Sequence, residues 1–488
     1  MPSTSDRTHP FQLLIVGGGP GGMATLLAAH HTGQLDDLLK EGVAIVEKGS
    51  AIGAGTLGQY AINSDSSGLT FVDCLRSSSP GGLTELYNHP LTRTLAEAGD
   101  GAVALKDAAE FLNLVGARLK DIVATHKGCN VFLGHTAISA RRTLNGWSVT
   151  LRDSSGQERI VYAKNVVLST GAGQPLTRLA AETVGNASLT ALCGDRLLQS
   201  DDVLSHDGLR SLTQRLKGLT SPRVAVIGGS TSAVAVCHAL LNRMPEIRFS
   251  PDGVTLLHRR ELRVYYPDAA SALAENYTEF GPDDICNISG KVFRFAGFRL
   301  ESRELVMQAR GLGNRPPEPR LRLHHLATET ETATRECFAS ADIVISALGY
   351  RPRALPVYDL SGAEIPLKAG TGPQEPLVDS QCRVLRSDGV ALPGLFGMGL
   401  AAGFVPRGPL GGEASFRGQA NGLWLWQKDV GSLIVNAIQN APKYRDPSMK
   451  GSDSFTAAEK AESVADISAL ISPDSRKSER PDALHISL

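Results

Sequence analysis

The stretch that decides the fold is residues 11–22, Phe11-Gln12-Leu13-Leu14-Ile15-Val16-Gly17-Gly18-Gly19-Pro20-Gly21-Gly22. An apolar run ends in G-x-G-x-x-G, and small, apolar residues follow to about position 31. The run reads as a buried parallel strand, and the segment after it as a helix packed closely on that strand. Gly17 permits the tight turn. Gly19 lets the backbone approach a pyrophosphate, and Gly22 lets the helix lie against the strand. Free N–H groups and a partial positive charge at the helix start, next to Pro20, suit phosphate oxygens. A second strand over 42–46 is closed by Glu47 and Lys48, and an acid at that point can accept hydrogen bonds from ribose hydroxyls. The bland alternative is a glycine-rich turn without a ligand. The strand, helix and acid at consistent spacing weigh against it.

The same pattern recurs further along as Val226-Ile227-Gly228-Gly229-Ser230-Thr231-Ser232-Ala233, a G-x-S-x-x-A between a strand over 223–227 and a helix over 231–241. The next strand, 254–257, runs into His258-Arg259-Arg260 rather than an acid. A ribose 2′-phosphate needs positive charge there and a carboxylate would repel it, so this turn points to NADPH over NADH. A solvated basic strand end is the alternative. The first turn does not by itself choose between FAD and NAD; its N-terminal place, with a much later return to the same sheet, favours FAD.

Between and around these units the chain is less explicit. Residues 51–68 form a Gly-, Ser- and Asn-rich loop, long enough to suggest a task. A helix is expected over 102–121. Short antiparallel strands are expected over 131–133, 137–141, 147–152 and 159–162. Buried strands are expected over 166–169, 341–347 and 394–399, and a helix beginning within 413–427. The chain turns polar from about 442, with one amphipathic helix over 455–471 and a disordered end.

Composition sets the frame. The 488 residues are 42% hydrophobic and 20% charged, with a formal net charge of −1, which implies two or three globular domains and gives no reason to expect a nucleic-acid or membrane partner. Seven cysteines are scattered without a C-x-x-C, so reduced thiols in a soluble, cytoplasmic protein are expected. The twelve histidines show no metal-binding spacing, and no metal is expected.

Two such turns, the second unit inserted into the first, resemble the two-dinucleotide-binding-domain flavoproteins. Val167-Leu168-Ser169-Thr170-Gly171-Ala172 and Ile345-Ser346-Ala347-Leu348-Gly349-Tyr350 resemble that family's crossing motifs. Gly394-Leu395-Phe396-Gly397-Met398-Gly399 resembles its last strand and turn beside the flavin. The resemblance implies an α/β fold of two Rossmann-like domains, the NADPH domain inserted into the FAD domain. The expected boundaries are 1–220 and 346–441 for the FAD domain, 221–345 for the NADPH domain, and 442–488 for a tail. The cofactor-binding residues it implies are Gly17, Gly19, Pro20, Gly22, Glu47, Lys48, Thr170, Gly171, Gly228, Ser230, Thr231, Arg259, Arg260, Gly349, Tyr350, Gly399 and Gly412.

Disulfide reductases of this superfamily need a cysteine pair beside the flavin. The loop after Glu47 has none, and Cys74 stands alone. What remains resembles the NADPH-using flavin monooxygenases, in which oxygen adds to the reduced flavin and passes to a small-molecule nitrogen or sulfur. The F-x-G-x-x-x-H motif of the flavin-containing and Baeyer–Villiger groups is absent before Gly228, and the surroundings of His206 do not match it, which leaves N-hydroxylation ahead. By this resemblance Asn63 and Ser64 contact the flavin or its oxygen adduct; simple turn formation is the alternative. Residues 404–421 are expected to meet the flavin edge with Glu413, Ser415, Arg417 and Gln419 nearby, or else to cap a helix. Arg263, Tyr265 and Tyr266 are candidates for clamping adenine or phosphate, and Asp65, Asp73 and Arg76 for selecting a charged substrate. The implied partners are a small-molecule substrate and O2, with a homo-oligomer open. The rival readings are an NADPH-dependent flavin reductase and a non-catalytic flavin-binding redox sensor.

Overall fold

The structure is a computed structural model that describes residues 10–78, 82–184, 186–372 and 375–440. The expected tail and its helix over 455–471 lie outside the described residues. At the centre of the first sheet, Asn130–Leu133, Val43–Glu47, Phe11–Val16 and Glu158–Leu168 run parallel in that spatial order. Ile15 sits between Ile45 and Val167 in register. Leu13, Leu14 and Ile15 are fully buried, as a parallel strand covered on both faces should be.

Two strand expectations change. Residues 131–133 belong to this parallel core beside Val43–Glu47, not to an antiparallel set. Residues 159–162 and 166–169 fall on one long strand, Glu158–Leu168. Its first half pairs antiparallel with Gly146–Asp153, which in turn pairs with His135–Thr143. Its second half is parallel to Phe11–Val16 on one side and to Ala391–Gly397 on the other. The sequence carries this handover: exposed and buried residues alternate from Ile160 to Asn165, and Val166, Val167 and Leu168 are all buried. The chain returns to the first sheet at Val357–Tyr358, Arg383–Leu385 and Ala391–Gly397, so the second sheet between them and Leu168 is an insertion.

The inserted sheet is fully parallel, in the order Leu197–Gln199, Ile343–Ser346, Val224–Ile227, Val254–His258, Leu321–His325. Its edge strand Leu197–Gln199 precedes the expected start at 221, because the connection after the first crossing already joins this sheet. The two crossings lie side by side: Ala172–Gly173 pairs antiparallel with Arg351–Pro352, and the Arg353 N–H donates to the Gly171 carbonyl at 2.9 Å. Thr170 Oγ1 also donates to the Arg353 carbonyl.

The helix expected to begin within 413–427 starts later. Residues 413–422 are irregular, and helical structure runs from Leu423 through a π-turn at Trp426–Val430 to Gln439. Gly418 and Gly422 weaken helix formation, and the Glu413 carboxylate is engaged elsewhere. The last helix packs on Pro20–His31 so closely that a Cβ on Gly431 would lie 2.5 Å from the Ala28 Cβ. Residues 259–320, between the strands Val254–His258 and Leu321–His325, fold out as a subdomain containing the helices Ala269–Ala274 and Leu300–Ala309.

Candidate active site

The first cradle follows from contacts that only glycine permits. Gly17 has φ +102°, and a Cβ there would stand 2.2 Å from the Ser169 carbonyl oxygen. A Cβ on Gly22 would stand 1.8 Å from the Gly17 carbonyl oxygen. At Gly19 the same atom would meet nothing nearer than the Gly55 Cα at 3.7 Å, so this position faces open space where a ligand backbone can approach. The helix Pro20–His31 begins without a side-chain cap, which leaves its first amides for an anion. Glu47 accepts from the Gly18 and Gly49 N–H groups at 2.7 Å each, which pins the turn and leaves a lone pair on each oxygen for ribose hydroxyls. Lys48 beside it is exposed. Gly399 (φ +110°) closes the cradle from the far end of the chain: a Cβ on Gly21 would be 3.2 Å from the Gly399 Cα. The residues fit a dinucleotide with its pyrophosphate at Gly19.

The second cradle is built alike with larger tolerances. Gly228 (φ +139°) would place a Cβ 2.5 Å from the Ala347 carbonyl oxygen. The helix Thr231–Asn242 starts at Ser230 with no side-chain cap. Arg259 and Arg260 are exposed and, among the described residues, have no carboxylate within 4 Å. His258 does not join them. It is buried, its ring nitrogen lies 2.9 Å from the Arg260 carbonyl oxygen, and burial lowers its pKa, so the positive charge of the strand end rests on the arginines. Sequence reasoning missed Arg178, which pairs with Glu182 at 3.1 Å and feels the repulsion of Arg259.

Thr170, Gly171, Gly349 and Tyr350 lie at the crossings. The Tyr350 hydroxyl donates to Asp201 at 2.8 Å and Tyr60 donates to the same oxygen at 2.5 Å, tying the loop after the first cradle to the inserted domain. Both phenols are pushed up, by burial first. Neither Asp201 nor Tyr60 carries a sequence motif.

Asn63 and Ser64 fall on a short strand, Asn63–Ser67, paired with Ala102–Ala104. Ser64 is buried and its hydroxyl accepts from the Ser66 N–H at 2.9 Å. The Asn63 amide donates across the domain junction to Glu301 at 2.6 Å; His238 Nδ1 lies 3.6 Å from the same carboxylate. These residues border an opening of about 500 Å³ between the domains, lined also by Asn242, Glu304 and Gln308. Two positions on from Asn63, Asp65 has no hydrogen bond or ion pair among the described residues; its residue surface is exposed, while desolvation of the carboxyl raises its pKa to about 7 against the opposing pull of Arg299.

Gly412 and Glu413 meet the 259–320 subdomain. Glu413 is buried and accepts from the Phe295 N–H at 2.9 Å and the Ala296 N–H at 2.8 Å. The Gly412 N–H points at Cys286 Sγ at 3.4 Å. Arg263 donates to Ser415 at 3.3 Å, and Asp73 pairs with Lys428 and Arg76.

A family model described as pyridine nucleotide-disulphide oxidoreductase matches residues 11–399, which takes in both cradles and both crossings. The chain belongs to that family. This oxidoreductase is 32% identical over 448 residues to the CMP-5′-(3-aminopropyl)phosphonate hydroxylase of Streptomyces rubellomurinus, covering 88% of this chain and 98% of the relative. Among solved structures it is similar to an ornithine hydroxylase from Pseudomonas aeruginosa, with a TM-score of 0.50 at 14% identity over 88% of this chain and 98% of that one. It is also similar to an L-lysine 6-monooxygenase from Pseudomonas syringae, with a TM-score of 0.49 at 15% identity over 88% and 100%. The family's description names a pyridine nucleotide, and the relative from Streptomyces rubellomurinus is a hydroxylase. No helix among the described residues is long and apolar enough to cross a membrane.

Proposed function

We propose that this oxidoreductase hydroxylates the nitrogen of a primary amine, with the first cradle holding FAD and the second NADPH. The balance is R–NH2 + O2 + NADPH + H⁺ giving R–NHOH + H2O + NADP⁺. One observation carries the reading: the opening bordered by Asn63, His238 and Glu301 has the unpaired Asp65 carboxyl two residues along from Asn63, and all seven cysteines are free, with no disulfide among them. The relative from Streptomyces rubellomurinus supports it, since the substrate in its name ends in an amine.

Bound flavin, reduced by NADPH, supplies the activation of oxygen. The chain's own residues orient the amine and manage its proton. A nitrogen nucleophile must be neutral to react, yet an alkylamine arrives as an ammonium ion. Asp65 and the Glu301 carboxylate attract that ion, and Asp65, poised at about 7, exchanges a proton near neutral pH. In this reading the strand bearing Asn63 and Ser64 is the wall against which the amine is held.

The test is turnover under ¹⁸O2 with 3-aminopropylphosphonate, ornithine and lysine as candidate amines. One ¹⁸O in a hydroxylamine product per NADPH consumed is expected for at least one of them. NADPH consumption that ends only in hydrogen peroxide with every amine would overturn the proposal.

A further inference from the structure

The cations of residues 291–320 fall into two sets. Arg303, Arg310, Arg315 and Arg320 each hold a glutamate, at 2.7 Å to Glu275, 2.5 Å to Glu279, 2.6 Å to Glu304 and 2.6 Å to Glu318. Lys291, Arg294 and Arg299 have no carboxylate within 4 Å among the described residues, although all three are half-buried. Arg294 donates to Cys286 Sγ at 3.5 Å, a thiol whose pKa, against desolvation, is lowered to about 6 by hydrogen bonds from Ser289, Arg294 and the Gly412 amide; the partners of Lys291 and Arg299 are neutral. Arg299 lies 3.8 Å over the Tyr265 ring and donates to the Arg294 carbonyl at 2.6 Å. Lys291 stands 6.0 Å from the same ring. Arg294 lies 4.9 Å over both Phe295 and Trp424 and donates to the Leu410 carbonyl at 3.1 Å. Lys291 and Arg299, half-buried cations that face only a ring and a carbonyl, have lost water without gaining an anion. Burial lowers the Arg299 pKa, and the acid that opposes this, Asp65, lies beyond ion-pair reach.

We propose that this second set is a subsite for the phosphonate or phosphate group of the amine substrate, with Arg299 and Lys291 as its ligands and the Arg294 backbone fixing Arg299. The inference rests on the N-hydroxylation reading for where the rest of the substrate goes. Arg299 directly precedes the helix that carries Glu301 and acts electrostatically on Asp65, so in this proposal the two acids take the ammonium end of the same molecule. The planar guanidinium suits two phosphonate oxygens, and Tyr265 holds it flat. The 2′-phosphate of NADPH is already provided for by Arg259 and Arg260.

The experiment is calorimetric titration of the FAD-loaded full chain, with NADP⁺ present, by 3-aminopropylphosphonate and by butylamine. Arg299→Gln should weaken phosphonate binding about 10- to 100-fold and Lys291→Gln about threefold to tenfold, as expected for one charge-assisted contact each. Butylamine and NADP⁺ should bind all three proteins alike. Wild-type protein that does not bind the phosphonate, or variants that lose butylamine or NADP⁺ equally, would overturn the subsite. If Arg299→Gln fails to retain flavin, Lys291→Gln decides alone, because Lys291 makes no hydrogen bond that folding relies on. Turnover separates the two proposals. Phosphonate binding without hydroxylamine sinks the function and leaves the subsite. Hydroxylation of butylamine as readily as the phosphonate does the reverse.

Discussion

The two cradles of this oxidoreductase are the same device built to different tolerances. In the first, Gly17 and Gly22 are held by backbone while Gly19 stays open, and the tightest, Gly22, would drive a Cβ to 1.8 Å from a carbonyl oxygen. In the second the third glycine is Ala233, whose Cβ lies 3.4 Å from where a Cβ on Gly228 would sit, an ordinary contact. The strand ends differ as well. Glu47 turns inward to two backbone amides, whereas Arg259 and Arg260 point into solvent. A site that keeps its dinucleotide through every cycle benefits from a rigid, fully enclosed frame. A site that must release its dinucleotide works with exposed charge and a looser helix start.

The contrast can be broken by substitution, and the largest effect belongs to the first cradle. Gly22→Ala cannot be accommodated without moving the strand–helix turn, so purified protein should be colourless or insoluble, with flavin content down more than about 100-fold; ordinary flavin content would show that the turn is not the cradle. Gly228→Ala meets the Ala347 carbonyl at 2.5 Å in a backbone conformation unfavourable to alanine. It should keep its flavin and lose NADPH-driven reduction by about 30- to 100-fold.

The double variant Arg259→Ala with Arg260→Ala should raise KM for NADPH about 10- to 100-fold and leave NADH within about threefold. Equal loss for both would remove the 2′-phosphate argument. Glu47→Gln keeps the shape but withdraws the charge that two amides share, so flavin affinity should fall about tenfold by dialysis, and NADPH affinity should not move. Ala233→Gly should be the mildest. It removes no ligand contact and costs the helix about 1 kcal/mol, visible as a small drop in melting temperature with KM for NADPH within about twofold.

Both cradles were legible because their chemistry is local: a strand, a turn and a helix start lie within about a dozen residues, and each glycine answers to a neighbour in that unit. The crossings at Gly171 and Gly349 were legible for the same reason. The cleft between the domains was not. Asp65 and Arg299 come from segments without a period, and what marks them is the absence of a partner, which a sequence does not display. Glu413 misled for a related reason. In sequence it resembles a helix start, yet its carboxylate caps amides of a subdomain more than a hundred residues earlier. Residues 158–168 looked like two strands because one strand changes environment midway, and a change of burial reads like a break.

The central claim is that two dinucleotides meet across one cleft, the second reducing the first. Anaerobic mixing of the purified, flavin-loaded protein with NADPH tests it directly. The account expects the visible flavin absorption to bleach fully with one equivalent of NADPH, and at least about tenfold more slowly with NADH at the same concentration. Protein that stays colourless after flavin is supplied, or bound flavin that NADPH leaves oxidised, would contradict it.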